Sequence, residues 1–356
     1  MPGPGSRKTK GRGTGSTIDP RYLAHNREEF DDGWYREEGG RIPTTVTVEH
    51  PRTVISRNHS PDVPFEISLN PYRGCEHGCV YCYARPTHAY LDLSPGIDFE
   101  SKLFAKPEAP VLLRKELGRR GYRCTPLAMG TNTDPYQPVE REWRITRGII
   151  EVLHEVRHPL SIVTKSALVE RDIDLLAPMA EQDLVQVFLS VTGLDGELSR
   201  RLEPRAAAPE RRLETVARLS DAGIPVGVMF APVIPFINDA DLERVLERAA
   251  AAGAEAAGYV MLRLPHEIRH LFREWLQEHA PDREEHVMHV ISDVRGGREN
   301  DPRFHSRMRG TGQYAALIRQ RFERACRRHG LNRRRRQLDT TRFIPPGAGG
   351  IQQSLF

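Results

Sequence analysis

The chain has 356 residues and carries 52 Lys and Arg against 48 Asp and Glu, a formal net charge of +4. That length provides one large or two modest domains with an ample core. No apolar run approaches the roughly 20 residues of a membrane span, the first ten residues lack the apolar stretch of a secretory signal, and five cysteines are too few and too unevenly placed for a disulfide framework. The expectation is a cytoplasmic protein without a membrane partner, in a reducing compartment where thiols stay available as ligands.

Residues 1–60 read as a weakly ordered arm: Gly, Pro, Ser and Lys/Arg dominate the first sixteen, and Asp31-Asp32-Gly33-Trp34-Tyr35 is a polar turn with two aromatics. Residues 64–69, Pro-Phe-Glu-Ile-Ser-Leu, form the first predicted strand. The loop leaving it is Asn70-Pro-Tyr-Arg-Gly-Cys75-Glu-His-Gly-Cys79-Val-Tyr-Cys82-Tyr-Ala-Arg85. Cys75, Cys79 and Cys82 are spaced C-x3-C-x2-C, so three thiolates can point at one centre. Soft thiolates select zinc, copper(I) or iron–sulfur clusters. A structural zinc needs a fourth ligand, and no fourth cysteine lies nearby. Three cysteines on a [4Fe–4S] cube leave one iron open. Gly74 and Gly78 are expected to let the backbone curl closely around such a cube.

A short helix is expected over 83–93 and another over 110–117. A strand over 126–129 ends in the polar run Gly130-Thr131-Asn132-Thr133-Asp134-Pro135-Tyr136-Gln137-Pro138, a ligand-loop candidate. Helix 142–157 places Ile145, Ile149, Val152 and Val156 on one face. The alternation then repeats: strands over 160–164, 185–191, 226–230 and 257–262, with helices over 170–179, 209–222, 239–252 and 265–279. Gly223 and Gly253 are the expected helix stops. Six strands alternating with helices predict a parallel α/β sheet wrapped by helices. Its ligand loops sit at the strands' C-terminal edge, where α/β barrels place their sites. Beyond it, residues 315–329 read as a basic helix. Nine arginines stand against one acid, Glu323, between 319 and 336, and 344–350 is a linker by composition.

The cysteine spacing, with Tyr81 just before the last cysteine, resembles the signature of the radical S-adenosylmethionine (SAM) enzymes. With the Gly-Thr-Asn-Thr-Asp-Pro-Tyr loop, Leu202-Glu-Pro-Arg-Ala and Arg263-Leu-Pro, it is similar to the spore photoproduct lyase-related branch, often labelled DNA-repair-photolyase-like. The resemblance implies an incomplete (β/α)6 barrel over 61–280; composition sets beside it a basic arm over 1–60, an extension with an Arg-rich helix over 281–343 and a tail over 344–356. It implies a [4Fe–4S] cluster on Cys75, Cys79 and Cys82, SAM chelated to the open iron, and reductive cleavage to methionine and a 5′-deoxyadenosyl radical, fed by a reductase or flavodoxin-type electron donor. Tyr81 takes the place beside adenine. Thr131, Asn132 and Asp134 stand where the family often has a Gly-Gly-Glu run meeting the SAM amino group. Lys165 and Ser166 follow the third strand, where a lysine pairs with the SAM carboxylate. Ser190, which shares a strand face with Thr192, and Arg205 complete the SAM candidates, with an internal Glu203–Arg205 brace as the other reading of that arginine.

Spore photoproduct lyase also uses a hydrogen-donating cysteine near the end of its second strand. Here that segment is Ala128-Met129-Gly130-Thr131, so its activity on a thymine dimer is not carried over. Three readings of function stay open: a radical SAM enzyme acting on nucleic acid in DNA repair or base modification, one acting on a protein or small metabolite, and a non-catalytic iron–sulfur nucleic-acid-binding module. Under the first, Arg319, Arg327, Arg328, Arg333, Arg334, Arg335 and Arg336 track phosphates, while the barrel mouth receives a flipped base. The final Gln-Gln-Ser-Leu-Phe resembles the peptide that docks on the DNA polymerase sliding clamp. Gln352, Leu355 and Phe356 are its anchors.

Overall fold

Six strands run parallel in the order of the chain. The computed structural model describes residues 11–22 and 42–347. Its strands are β1 (Thr45–Val48), β2 (Ser56–Arg57), β3 (Ile67–Leu69), β4 (Tyr72–Arg73), β5 (Lys102–Ala105), β6 (Leu127–Met129), β7 (Leu160–Thr164), β8 (Val185–Ser190), β9 (Val226–Val233) and β10 (Ala256–Met261). The main sheet has the order β10-β9-β8-β7-β6-β3-β2. From β3 to β10 every neighbouring pair is parallel, while β2 adds antiparallel to β3, Arg57 opposite Ile67. Parallel neighbours need a crossover, and helices supply it. These are the six α/β units expected from the alternation, in an open sheet edged by β2 and β10.

Burial follows sequence pattern. β3 and β6 are buried on both faces, and β7 alternates, Leu160, Ile162 and Thr164 inward. Helix Leu242–Ala251 buries Leu242, Val245, Leu246 and Ala249, the i, i+3, i+4, i+7 stripe. Each such leucine contributes about 1.5–3 kcal/mol by leaving water. Helix Pro209–Asp221 begins on proline, whose missing N–H costs nothing there, and stops before Gly223 at φ +74°. The single helix expected over 142–157 is two, Glu140–Trp143 and Ile145–Glu155, because Arg144 turns left-handed at φ +51°.

The described parts of the arm, 11–22 and 42–60, make defined contacts. Short β1 pairs with β5, and β4 closes this second sheet on the other side. Residues 11–18 lie against the loop carrying the cysteines. After β10, fully buried Arg295 donates to the carbonyls of Met261 and Leu262 and to those of Ser306 and Arg307. His305 N–H and Arg307 then reach Asp62. Residues 295–311 thus strap the free edge of β10 to the hairpin between β2 and β3. Helix Gly312–His329 packs on helix Leu242–Ala251, with Arg321 paired to Glu243 at 2.6 Å. Ile344, expected in the linker, is docked: its N–H donates to Val156 O at 2.9 Å.

Candidate active site

β3 and β4 deliver the chain to Cys75 at the C-terminal pole of the sheet. Cys75 and Cys79 are buried, Cys82 is partly so, and all three are free thiols. The loop folds back through tight turns: Gly78 N–H to Cys75 O, Cys82 N–H to Cys79 O and Arg85 N–H to Cys82 O. Outside partners fix it from every side. Cys75 N–H donates to Phe99 O at 2.9 Å, Val80 N–H to Leu202 O at 3.0 Å, and Arg205 N–H to His77 O at 3.3 Å. Fully buried Gln137 accepts from Glu76 N–H at 2.8 Å and donates to Gly74 O at 3.2 Å.

The two glycines do adopt positive φ, +75° at Gly74 and +67° at Gly78. The back of the loop gives each of them a reason to lack a side chain. A Cβ on Gly74 would meet Leu103 and Phe99 O within 2.8 Å, and one on Gly78 would meet Glu100 at 2.4 Å.

Burial favours the neutral form of the thiols, so as thiolates they would need a cation beside them. Burial pushes the Cys79 thiol well above its ordinary value, and Glu203 adds to this while Lys165 opposes it. Burial and neighbouring Cys75 raise Cys82. Thiolates crowded together in a dry place are held by metal charge. Among the described residues no three His, Cys, Asp or Glu converge as ligands of a single ion do. A four-iron cube spreads its thiolates over several metal atoms, and three free thiols within one eight-residue loop fit such a cluster with three protein ligands.

The SAM candidates divide into two groups. Tyr81, Lys165 and Arg205 surround or support the thiols, and Ser190 joins them through Arg212 and Glu203. Tyr81 is buried and its hydroxyl donates to Glu203. Lys165 Nζ lies 3.7 Å from Glu203 Oε1 and 5.8 Å from the Tyr81 ring centroid. Burial lowers its pKa, with the Cys79 charge acting against that. Ser190 is buried, and its carbonyl accepts from Arg212 at 2.8 Å. Arg205 does not brace Glu203. It pairs with buried Glu76 at 2.8 Å, a residue also held by Thr44.

The others make framework contacts. Asp134 accepts from Thr164 Oγ1 and Lys165 N–H, both at 2.7 Å, and from Tyr136 N–H at 2.9 Å, and lies 3.3 Å from buried His77. Burial raises its pKa, but His77 overrides this and draws it down to about 2. His77 is pushed up to about 10, because Asp134 and Cys75 outweigh its burial. Thr131 Oγ1 accepts from Asn70, Thr131 O accepts from the Tyr83 hydroxyl, and Asn132 is exposed with its N–H on Asn70 Oδ1. Ser166 caps the turn after β7, accepting from Leu168 N–H.

Glu203 is what sequence reasoning undervalues. It is fully buried among Arg212, Tyr81, Thr192 and Lys165. The only signal is an acid inside Leu202-Glu-Pro-Arg, which reads equally well as a loop residue.

The arginine run is not near the thiols. Asn332 Nδ2 donates to Ala257 O and Arg336 pairs with Asp183 at 2.6 Å, beside the first residues of β10 and β8. Exposed Arg333, Arg334 and Arg335 therefore occupy the opposite pole, with exposed Arg119, Arg120, Arg123 and Arg157 just ahead of β6 and β7. Arg319, Arg327 and Arg328 are exposed along helix Gly312–His329 as it descends to that pole. Cys124 and Cys326 lie there as well, Cys326 accepting from Asn332 at 3.6 Å. Gln352, Leu355 and Phe356 lie outside the described residues.

Comparison with known proteins agrees with this geometry. The model of the radical SAM superfamily matches residues 69–249. An uncharacterized protein of Mycobacterium tuberculosis is 41% identical over 222 residues, 62% of this chain and 65% of that protein, so the chain covers a little under two thirds of its length. A radical SAM Nalpha-GlyT isomerase of Pseudomonas phage M6 is 25% identical over 189 residues, 52% of this chain and 37% of that protein. Among solved structures, a spore photoproduct lyase mutant superposes with TM-score 0.56 at 15% identity over 80% of each chain. Spore photoproduct lyase complexed with dinucleoside spore photoproduct gives 0.55 at 14%, again over 80% of each. At such identities the likeness is one of fold. The chain belongs to the radical SAM superfamily, whose members use a [4Fe–4S] cluster and S-adenosylmethionine.

Proposed function

We propose that Cys75, Cys79 and Cys82 hold the cluster, that SAM binds beside them against Lys165 and Tyr81, and that the enzyme acts on nucleic acid. The observation that supports this most is the gathering of three free thiols, two buried and one partly so, with Lys165, Tyr81 and Glu203 at the sheet's C-terminal pole. The bound group supplies reductive cleavage of SAM to methionine and a 5′-deoxyadenosyl radical. The chain's own part is to hold and exclude. Glu203 orients Tyr81 and Lys165. Lys165 offers a cation to a carboxylate in a dry place, and Gln137 and Arg205 keep the loop from opening. Reduced, reconstituted protein incubated with SAM without air is expected to form 5′-deoxyadenosine, read by chromatography. Its absence would refute the reading. Lys165→Met should keep the iron and raise the KM for SAM by about tenfold or more, the scale of one charged hydrogen bond.

Nucleic acid is favoured by what surrounds the mouth. Tyr83 is 48% exposed with Arg263 5.5 Å from its ring centroid, and Tyr90 is 68% exposed, stacked on Tyr22 beside Arg21. Aromatic faces interleaved with guanidinium groups suit unstacked bases. The fold-similar spore photoproduct lyase has been solved with a dinucleoside, which agrees. The arginines of the far pole are roughly 20 Å away, the span of a six-residue strand, so they would anchor a backbone and not present a base. Changing Arg333, Arg334 and Arg335 to Ser should weaken oligonucleotide binding and reduce the salt slope by about 0.9 for each phosphate no longer neutralised. SAM cleavage without substrate should be unchanged. Equal slopes would assign these arginines to solvation. The terminal Gln352, Leu355 and Phe356 remain proposed as a clamp-docking peptide, tested by retention of the full chain, but not of one ending at Gly350, on immobilised sliding clamp.

A further inference from the structure

We propose that residues 11–18 are a working part of the cluster site, a clasp that closes the back of the cysteine loop. This rests on the assignment of Cys75, Cys79 and Cys82 to the cluster. Glu100 and Arg85 form a fully buried pair at 2.9 Å. Arg85 spends its other donors on two loop carbonyls, Cys79 O at 2.8 Å and Gly78 O at 3.0 Å, and on Gly96 O beyond the loop at 2.7 Å. The partners that complete Glu100 come from the N-terminal segment. Gly13 N–H donates at 2.8 Å, and Thr14 donates twice, from N–H and Oγ1, each at 3.1 Å. Without the segment a buried carboxylate would lose three donors, a costly state, and the arginine fixing two loop carbonyls would lose its anchored counter-charge.

The approach is too close to be incidental. A Cβ on Gly13 would fall 1.6 Å from Gly78 O, inside the cysteine loop itself, and one on Gly96 would fall 2.1 Å from Ser16 O. Ile97 N–H donates to Ser16 O at 3.2 Å, and Ile18 N–H to Ser94 Oγ at 2.9 Å. Arg12 reaches Thr44 Oγ1 at 3.0 Å, and Thr44 in turn donates to Glu76 between the first two cysteines. The segment is therefore stitched to both flanks of the loop, and Gly13, Thr14 and Glu100 are positioning residues. Solvent access around a metal site is set by the shell that covers it. A covered loop holds iron; a lifted clasp admits water, chelator and dioxygen from behind.

The test uses the full chain, reconstituted without air, and follows the fall of cluster absorbance under a chelator. Gly13→Ala is expected to lose iron about tenfold faster than wild type, the scale of one or more charged hydrogen bonds. Thr14→Val should show a smaller increase, since both amides remain, and Thr14→Ser, which restores the hydroxyl, should match wild type. A merely structural role would lower the melting temperature of the iron-free protein and leave iron release unchanged. That result, or Thr14→Ser leaking as fast as Thr14→Val, would overturn the clasp. Wild-type protein that takes up no iron would overturn the cluster assignment, and the clasp with it.

Discussion

Alanine at Cys75, Cys79 or Cys82 is expected to abolish both iron uptake and 5′-deoxyadenosine formation, while alanine at Cys124 or Cys326 leaves both intact. Wild-type protein should bind about four irons and four sulfides after anoxic reconstitution. The contrast comes from position. The first three thiols lie in one eight-residue stretch at the sheet's C-terminal pole, fixed from outside by Gln137, Phe99 and Leu202. A cube with three protein ligands has none to spare, so each variant fails completely. The other two thiols lie at the far pole, and burial raises both, Cys124 to about 12 and Cys326 to about 11. It is their distance from the site that keeps both from serving as ligands or as hydrogen-atom donors to it. Iron and acid-labile sulfide analysis, beside product chromatography, checks all five variants. A protein that loads zinc, stays colourless and needs no reductant would contradict the assignment at its root.

Much of this is legible in the sequence because it depends on local pattern. The strand expected over 160–164 coincides with β7, since Leu160 to Thr164 alternates and is bounded by Pro159 and Lys165. The cysteine spacing is equally local. What escapes depends on chain segments meeting. β1 and β2 are short and largely exposed: the Thr-Val alternation of β1 lasts only four residues and β2 has two, yet each finds a partner strand. β9 runs three residues past the expected stop at Phe230, because Pro232 looks like punctuation while Val233 is fully buried. Thr14 and Glu100 are 86 positions apart, and no periodicity joins them. The arginine run is visible as charge, but charge carries no address. Asn332 and Arg336, tied to the starts of β10 and β8, place it behind the barrel.

The second large effect concerns Glu203, because two functions meet on one carboxylate. Oε2 pairs with Arg212, both side chains fully buried, and Oε1 takes the Tyr81 hydroxyl and Thr192 Oγ1 and faces Lys165. Arg212 also donates to Ser190 O and Ala207 O, tying the end of β8 to the start of helix Pro209–Asp221. Glu203→Leu strands a guanidinium in the interior, and breaking such a pair costs about 3–5 kcal/mol. Urea unfolding should show that drop in stability, with SAM cleavage abolished. The double change Glu203→Leu with Arg212→Leu removes both charges. It should recover much of the stability, because apolar residues often replace a buried pair at little cost. SAM cleavage should not return, since Tyr81 and Lys165 still lack their acceptor. Stability and activity recovering together would mean that Glu203 serves Arg212 alone. A single Glu203→Leu variant as stable as wild type would show that the buried pair contributes nothing to holding β8 against its helix.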